Sequence, residues 1–326
     1  MKHCLRKLLI PICSAMALLP GLALAQAYPS KPITLYVPFA AGTVTDLVFR
    51  SVGSAMAKNL GTSIIIDNKP GANGIIAWEH VVKRVPADGY SLAATTNSNL
   101  SLPVFTKDLP IDPVLDLPPV AIVAESPLML HSPASAPWNT MAEMVAYAKA
   151  NPGKLNWGSS GSTSIASLNT LAIMQKDNLD ILVVPYQGGN NQAIIALLAN
   201  DVQLLFSTAA EARTNIGSKK TKGLGLTGTQ RYESVFPGAP TLAELGYPEI
   251  HGVWWALNVA KGTPRPVIDR LNAAARFAVQ QPEVKEFFVK TSITGVETSP
   301  DEVAKRYESV YRLYREVAQK ANLKPQ

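Results

Sequence analysis

The sequence predicts an α/β protein in two domains, each built on a mostly parallel sheet. Three observations carry that reading. Segments with strand-like alternation give way to segments with helical spacing along most of the chain. Strand–helix–strand order with short links implies right-handed crossovers and parallel strands. The chain is 326 residues long, more than one core comfortably serves. Loops rich in small polar residues recur where strands end, the place where open α/β sheets bind ligands.

The N-terminus reads as an address. Lys2, Arg6 and Lys7 precede an apolar run from Leu8 to Leu24, broken by Pro11 and Pro20, that ends in Ala23-Leu24-Ala25. This is the layout of a secretion signal cleaved after residue 25. The run is short and proline-interrupted for a retained anchor, and Ile12 before Cys13 is too large for a lipoprotein site. Cys4 and Cys13 both fall inside it, so the mature chain carries no thiol, no disulfide and no cysteine metal site. The signal contains three basic and no acidic residues, so the formal +6 falls to +3, too mild a balance to argue for nucleic acid. No later stretch is long and apolar enough to span a bilayer.

Ile33-Thr34-Leu35-Tyr36-Val37 alternates as a strand with one buried face. It runs into Pro38-Phe39-Ala40-Ala41-Gly42-Thr43-Val44-Thr45-Asp46, and then Leu47, Val48, Val52, Ala55, Met56 and Leu60 form the core stripe of a helix stopped by Gly61. A helix start carries unpaired N–H groups and the positive end of the dipole. With Gly42 allowing close approach and Thr43 and Thr45 adding hydroxyls, the turn has the make-up of an anion cradle. The motif alone equally describes an ordinary strand-to-helix turn with a threonine cap.

Ser63–Ile66 reads as a buried strand, 67–74 as a loop, Ile75–Arg84 as a helix and Tyr90–Thr95 as a strand ending in polar Thr96-Asn97-Ser98-Asn99. Leu100–Pro119 is proline-rich and irregular. Val120–Ala124 and Pro127–His131 read as two strands crossing into the second domain. A capping box, Asn139-Thr140 with Glu143, starts a helix that ends near Ala150. Leu155-Asn156-Trp157 leads into Gly158-Ser159-Ser160-Gly161-Ser162-Thr163-Ser164 and a helix to Lys176, a second strand, hydroxyl loop and helix start. Ile181–Val184 is a fully apolar strand followed by Pro185-Tyr186-Gln187-Gly188-Gly189-Asn190 and a helix carrying Ile194, Ile195, Leu197 and Leu198. Val202–Phe206 is a strand ending at Ser207-Thr208, and Leu224–Thr227 another. Pro240–Gly246 reads as a short capped helix, Gly252–Ala260 as a strand crossing back, and Pro266–Gln280, Glu283–Lys290 and Pro300–Ala321 as closing helices.

Catalytic sequence patterns are scarce in the chain. There is no Gly-x-Ser-x-Gly, no Ser-x-x-Lys and no Gly-x-x-x-x-Gly-Lys. His80, His131 and His251 lie far apart without a second ligand at metal-binding spacing, which reads as surface or packed histidines. A secreted hydrolase assembled from distant segments stays open as the alternative, with nothing pointing toward it.

Eight motifs in order carry a resemblance: Tyr28-Pro29-Ser30-Lys31-Pro32-Ile33, Val37-Pro38-Phe39-Ala40-Ala41-Gly42, Asn68-Lys69-Pro70-Gly71-Ala72-Asn73-Gly74, Ala87-Asp88-Gly89-Tyr90, Ala150–Ser159, Val184–Gly188, Ala239–Pro248 and Lys261-Gly262-Thr263-Pro264. The chain resembles the Bug-type extracytoplasmic solute receptors, the binding components of tripartite tricarboxylate transporters, over essentially its whole mature length. The resemblance implies a type II periplasmic binding protein fold, two α/β lobes joined by crossing strands with the ligand between them. It implies a signal peptide at 1–25, a first lobe from 26–124 and 253–326, and a second lobe from 125–252. It implies a monomeric periplasmic receptor without chemistry, cofactor or metal, binding a di- or tricarboxylate or an aromatic acid and passing it to membrane components. A sensor subunit presenting its ligand to a membrane kinase would look the same. The positions matching the family's ligand loops are Phe39, Ala40, Ala41, Gly42, Thr43, Thr45, Asp46, Asn97 and Ser98 in the first lobe. In the second they are Ser159, Ser160, Gly161, Ser162, Thr163, Ser164, Tyr186, Gln187, Gly188, Gly189 and Ser207.

Two departures stand out. Ala41-Gly42-Thr43 replaces the family's Pro-Gly-Gly, and Ser167-Leu168 stands where a His-Leu pair is common. None of the matched loops contains Lys or Arg. The carboxylate is therefore expected to meet helix N-terminal amides near Thr43 and Ser162, with hydroxyls and water. Asp46 is expected to position the loop, with Arg50 offsetting its charge, and to be able to accept a hydrogen bond from a ligand.

Overall fold

The computed structural model describes residues 28–159, 164–186, 190–233 and 235–321. In chain order the elements of the first half are β1 (Ile33–Val37), α1 (Val44–Leu60), β2 (Ile64–Asn68), α2 (Ile75–Lys83), β3 (Ser91–Thr96), α3 (Leu102–Phe105), β4 (Pro119–Ser126), β5 (Leu128–Pro133), α4 (Met141–Ala150) and β6 (Asn156–Ser159). There follow α5 (Ile165–Asp177), β7 (Leu182–Pro185), α6 (Asn190–Leu198), β8 (Leu204–Thr208), α7 (Ala209–Gly217), β9 (Thr221–Leu226), β10 (Val253–Val259), α8 (Arg265–Val279), α9 (Pro282–Lys290), β11 (Thr294–Gly295) and α10 (Pro300–Lys320).

These strands form two sheets, one in the order β11-β4-β10-β3-β1-β2 and the other β7-β6-β8-β5-β9. Strand direction follows the predicted crossovers: β1 pairs in parallel with β2 and β3, and β6 with β7 and β8. β10 runs antiparallel to both β3 and β4, and β5 antiparallel to both β8 and β9, so these two strands oppose their neighbours on either side. It follows that β4 points the same way as β3, and its end at Ser126 lies at the carboxyl end of the first sheet. Leu128, where β5 begins, pairs with Thr208 at the end of β8. Pro127 alone therefore joins the carboxyl end of one sheet to the carboxyl end of the other. This is the two-lobed fold of a periplasmic binding protein.

The hinge is tight. A Cβ added at Gly252 would lie 2.2 Å from the Ser126 carbonyl oxygen and 2.9 Å from Thr227 Oγ1. Two consecutive carbonyls there are held by amides from different lobes: Asn169 on α5 donates to His251 at 2.8 Å, and Asn97 donates to Gly252 at 2.7 Å. α10 also bridges the lobes. Its Tyr307, Val310 and Tyr314 share one core with Leu168, Trp157 and Phe206 of the second sheet, and Gln175 on α5 donates to the Val317 carbonyl at 3.0 Å.

The structure departs from the sequence reading at several elements. β2 was expected to be buried, but it is the edge of its sheet, with Ile65 half exposed. An edge strand has one neighbour, and α1 covers one face only. The apolar β7 is likewise an edge, with Leu182 exposed. The expected helix at 240–246 is a run of turns. Thr241 and Glu244 do exchange capping bonds, but Thr241 also bridges Leu226 and the chain leaves at Gly246 with φ 93°. The irregular 100–119 segment holds the end of a 3-10 turn, Asn97–Ser101, and the single turn of α3. α7, announced by a Thr208/Glu211 capping box, and the short β11 had no counterpart in the reading.

Candidate functional site

The turn after β1 is held from inside. Thr43 caps α1 with its side chain accepting from the Asp46 amide at 3.3 Å, and its hydroxyl donates to the Ala40 carbonyl at 2.8 Å. Gly42 takes φ 82°, a conformation that favours glycine. Its N–H donates to Asp46 Oδ2 at 2.8 Å, as does Arg50 Nε at 2.8 Å. Asn68, at the end of β2, donates through Nδ2 to Asp46 Oδ1 at 2.8 Å and to the Phe39 carbonyl at 2.9 Å. Arg50 completes the ring by donating to Asn68 Oδ1 at 2.8 Å. Asp46 is fully buried. Burial pushes its carboxyl pKa up, but the bonds from Arg50, Asn68 and Gly42 outweigh that and hold it below the usual carboxylate range. In this conformation its oxygens are occupied within the loop.

Thr43 N–H is directed at the Ala40 carbonyl at 3.3 Å. The donors left over are the next two amides, Val44 and Thr45, which make no hydrogen bond among the described residues. Val44 is 52% exposed at the head of α1. Thr45 Oγ1 accepts from Trp255 Nε1 at 3.0 Å, which ties the helix start to the hinge strand β10. No sequence pattern signals the Asn68 and Trp255 contacts. Asn68 reads as one more turn residue, and Trp255 lies 210 positions away from Thr45.

Asn97, also fully buried, is engaged on both sides of its amide: it donates to Gly252 and accepts from Trp254 N–H at 3.4 Å. Ser98 is half-buried in the same 3-10 turn and accepts through its carbonyl from Ser101 Oγ at 2.7 Å.

In the second lobe the anchoring groups are hydroxyls. Ser164 caps α5, accepting from the Ser167 amide at 3.2 Å, and its Oγ lies 2.9 Å from Ser167 Oγ. Ser167 also bonds Ser159 Oγ. Ser167 is therefore buried and bonded to both Ser159 and Ser164. Ser207, at the end of β8, bonds His131 Nε2 at 3.0 Å, and His131 Nδ1 meets Thr221 Oγ1 at 3.2 Å. Burial pulls the His131 pKa down to about 4, so it is neutral at pH 7. A buried serine beside a weakly basic imidazole that faces a hydroxyl, not a carboxylate, is a poor nucleophile pair. Tyr186 is half-buried, and its N–H donates to the Ser159 carbonyl at 2.8 Å. Ser160, Gly161, Ser162, Thr163, Gln187, Gly188 and Gly189 lie outside the described residues.

The first-lobe residues thus gather at the ends of β1 and β3 and the second-lobe residues at the ends of β6, β7 and β8. Those ends meet at the hinge, although no hydrogen bond between the two groups occurs among the described residues. His80 sits against Tyr36, its Nε2 3.2 Å from the phenol oxygen. Among the described residues no group of three His, Cys, Asp or Glu side chains could hold a metal, and no helix is long and apolar enough to cross a membrane.

Comparison with known proteins agrees with the motifs. The profile of the tripartite tricarboxylate transporter family receptors, TctC, matches residues 48–323. Protein BugT of Bordetella pertussis is 31% identical over 85% of this chain and 85% of its own. A TctC solute binding protein from Polaromonas superposes with a TM-score of 0.81 at 29% identity, covering 90% of this chain and 99% of that one. MatC from Rhodopseudomonas palustris, solved with bound malate, superposes with a TM-score of 0.65 at 27% identity over 89% of this chain and 99% of its own.

Proposed function

Because the chain belongs to the tripartite tricarboxylate transporter receptor family, we propose that it captures a small organic carboxylate between its lobes and delivers it to the transporter's membrane components. The family consists of periplasmic solute-binding receptors. On this reading residues 1–25 are a cleaved export signal and the mature chain acts as a monomer. Residues 26–124 with 253–326 form one jaw and 125–252 the other. The ligand loops are 39–46, 97–98, 159–164, 186–189 and 207.

The observation that carries the proposal is the pair of unbonded amides, Val44 N–H and Thr45 N–H, at the head of a 17-residue helix in a turn without Lys or Arg. A carboxylate placed there gains two directed donors and the helix dipole. Asp46, Arg50 and Asn68 hold the turn open for it and act as positioning residues. Malate bound by a structural neighbour supports the carboxylate class. Closure follows because only the shut form lets both jaws touch one ligand.

The test is mass spectrometry of small molecules released on denaturing the purified protein, with calorimetry of malate and longer dicarboxylates at low and high salt. A released carboxylate whose affinity varies less than about threefold with salt is the expected result, since buried dipoles are screened far less than exposed charges. Recovery of a cationic or neutral ligand, or a steep fall of affinity with salt, would overturn it.

A further inference from the structure

A cavity of about 550 Å3 lies at the edge of the two sheets away from the proposed ligand loops. The proposed ligand loops follow β1, β3, β6, β7 and β8. This cavity opens instead beside β4 and β11 in the first sheet and beyond β9 in the second. One wall, Lys305, Arg306 and Ser309, belongs to α10; the facing wall, Thr229, Gln230 and Tyr232, follows β9. Its size falls within the range of small-molecule sites, about 300–1,000 Å3.

Its charges select the kind of ligand. The Arg306 guanidinium lies 4.3 Å above the Trp254 ring, and its Nη1 pairs with Glu125. The other N–H groups of that fork make no hydrogen bond to the described residues. Glu297 is taken up by Arg276, at 3.1 Å, and by Gln280. Burial, with the charge of Arg306, pulls the pKa of His251 down to about 4, so it adds no charge at neutral pH. Lys305 makes no ion pair among the described residues, although its charge is felt by the Asp301 and Glu302 carboxyls of its own helix. Both carboxylates of the lining already have cations, whereas Lys305, the open edge of Arg306 and the hydroxyls of Thr229 and Ser309 meet no acceptor among the described residues. A stacked, planar guanidinium beside an ammonium suits the oxygens of a carboxylate or phosphate.

We propose that this hinge cavity is a second ligand site for a small oxyanion, held by Lys305 and the open edge of Arg306 against the 227–232 segment. Because its walls belong to different jaws, its occupant is coupled to their angle, and by linkage each ligand alters the other's affinity equally. That coupling rests on the receptor reading above; binding at the cavity does not.

The experiment titrates the mature chain with inorganic phosphate and, separately, citrate by calorimetry. It uses the wild type, Lys305→Glu, Ser309→Trp and Val44→Pro. Lys305 and Ser309 are exposed, and thermal melts check that their variants fold. Saturable binding of either probe that both hinge variants weaken about tenfold or more, and Val44→Pro leaves unchanged, supports the site. Binding of phosphate assigns a phosphate-sized anion, and binding of citrate alone a carboxylate. Neither probe binding the wild type, or binding that tracks Val44→Pro and ignores Lys305→Glu, overturns it. The cleft reading stands or falls separately, on the carboxylate released from the wild type.

Discussion

The loop after β1 and the loop after β6 share one plan, a strand, a short polar turn, a hydroxyl cap and a helix, yet different physics holds them. In the first, a buried carboxylate gathers Gly42, Arg50 and Asn68 around itself. In the second, Ser159, Ser164 and Ser167 pass neutral hydrogen bonds to one another, and nearby Ser207, His131 and Thr221 do the same. A charged knot fixes geometry strongly and fails when any member is lost. A chain of hydroxyls adapts its rotors and tolerates replacement. The departure from the family's His-Leu pair, Ser167, falls in the neutral lobe, where a change costs least.

Acid should separate the two lobes first, and by the largest amount. His131 has a folded pKa of about 4, below the unfolded value of 6.5. Its neutral burial therefore stabilises the protein above pH 6.5 and is lost as pH falls from 6.5 to about 4. Integrated, this amounts to about 3 kcal/mol for this residue. His251, at the hinge, shifts the same way. Asp46 is depressed, so the knot in the first lobe holds through that window and yields only below the usual carboxylate range. Urea unfolding from pH 7 to pH 4 should show falling stability, and His131→Gln should flatten the slope. An equal slope in that variant would remove the contrast.

At neutral pH the knot is the larger target. Asp46→Asn keeps the shape but turns an amide N–H either toward Gly42 N–H and Arg50 Nε or toward Asn68 Nδ2, donor against donor in both cases. A loss of about 2 kcal/mol is expected by chemical denaturation, the size of a charge-assisted bond. A loss under half of that would mean that the ring contributes little beyond packing.

How much of this was legible follows from how far apart the partners lie. The turn, the Thr43 cap and the Gly61 stop are encoded within a few residues, as is the Thr140/Glu143 cap of α4, and local rules found them. The members of the knot are split: Gly42, Asp46 and Arg50 are neighbours, but Asn68 arrives from the next strand and Trp255 from the far end of the chain. No periodicity reports such contacts. The edge positions of β2 and β7 were hidden because apolar content measures burial poorly when one face is open. α7 was missed although Thr208 and Glu211 form its capping box, since only Ala209 and Ala212 face the core. The free amides of Val44 and Thr45 depend on which carbonyl Thr43 N–H chooses, a matter of geometry and not of composition.

The amides give the next prediction. Val44 is the first helical residue, where proline is accepted because its N–H has no helical partner. Val44→Pro should melt as the wild type does but bind its carboxylate about tenfold more weakly, the loss of one directed donor to an anion. Unchanged affinity would move the ligand away from this helix start. A lowered melting temperature would mean that the first turn depends on that N–H for its own stability.

The smallest effect is expected at Ser167. Its hydroxyl bonds Ser159 and Ser164, and the residue is 1% exposed. Ser167→Ala removes one neutral partner from each. The cost should be about 1 kcal/mol, half of that at Asp46, with little change in ligand affinity. Ser167→His is the sharper variant. A ring there must push Ser159 and Ser164 apart, so it should alter the order of affinity across a panel of acids while Ser167→Ala preserves it. If alanine and histidine shift that order alike, the hydroxyl itself, and not the space it leaves, sets specificity in this lobe. The neutral chain would then be as demanding as the charged knot.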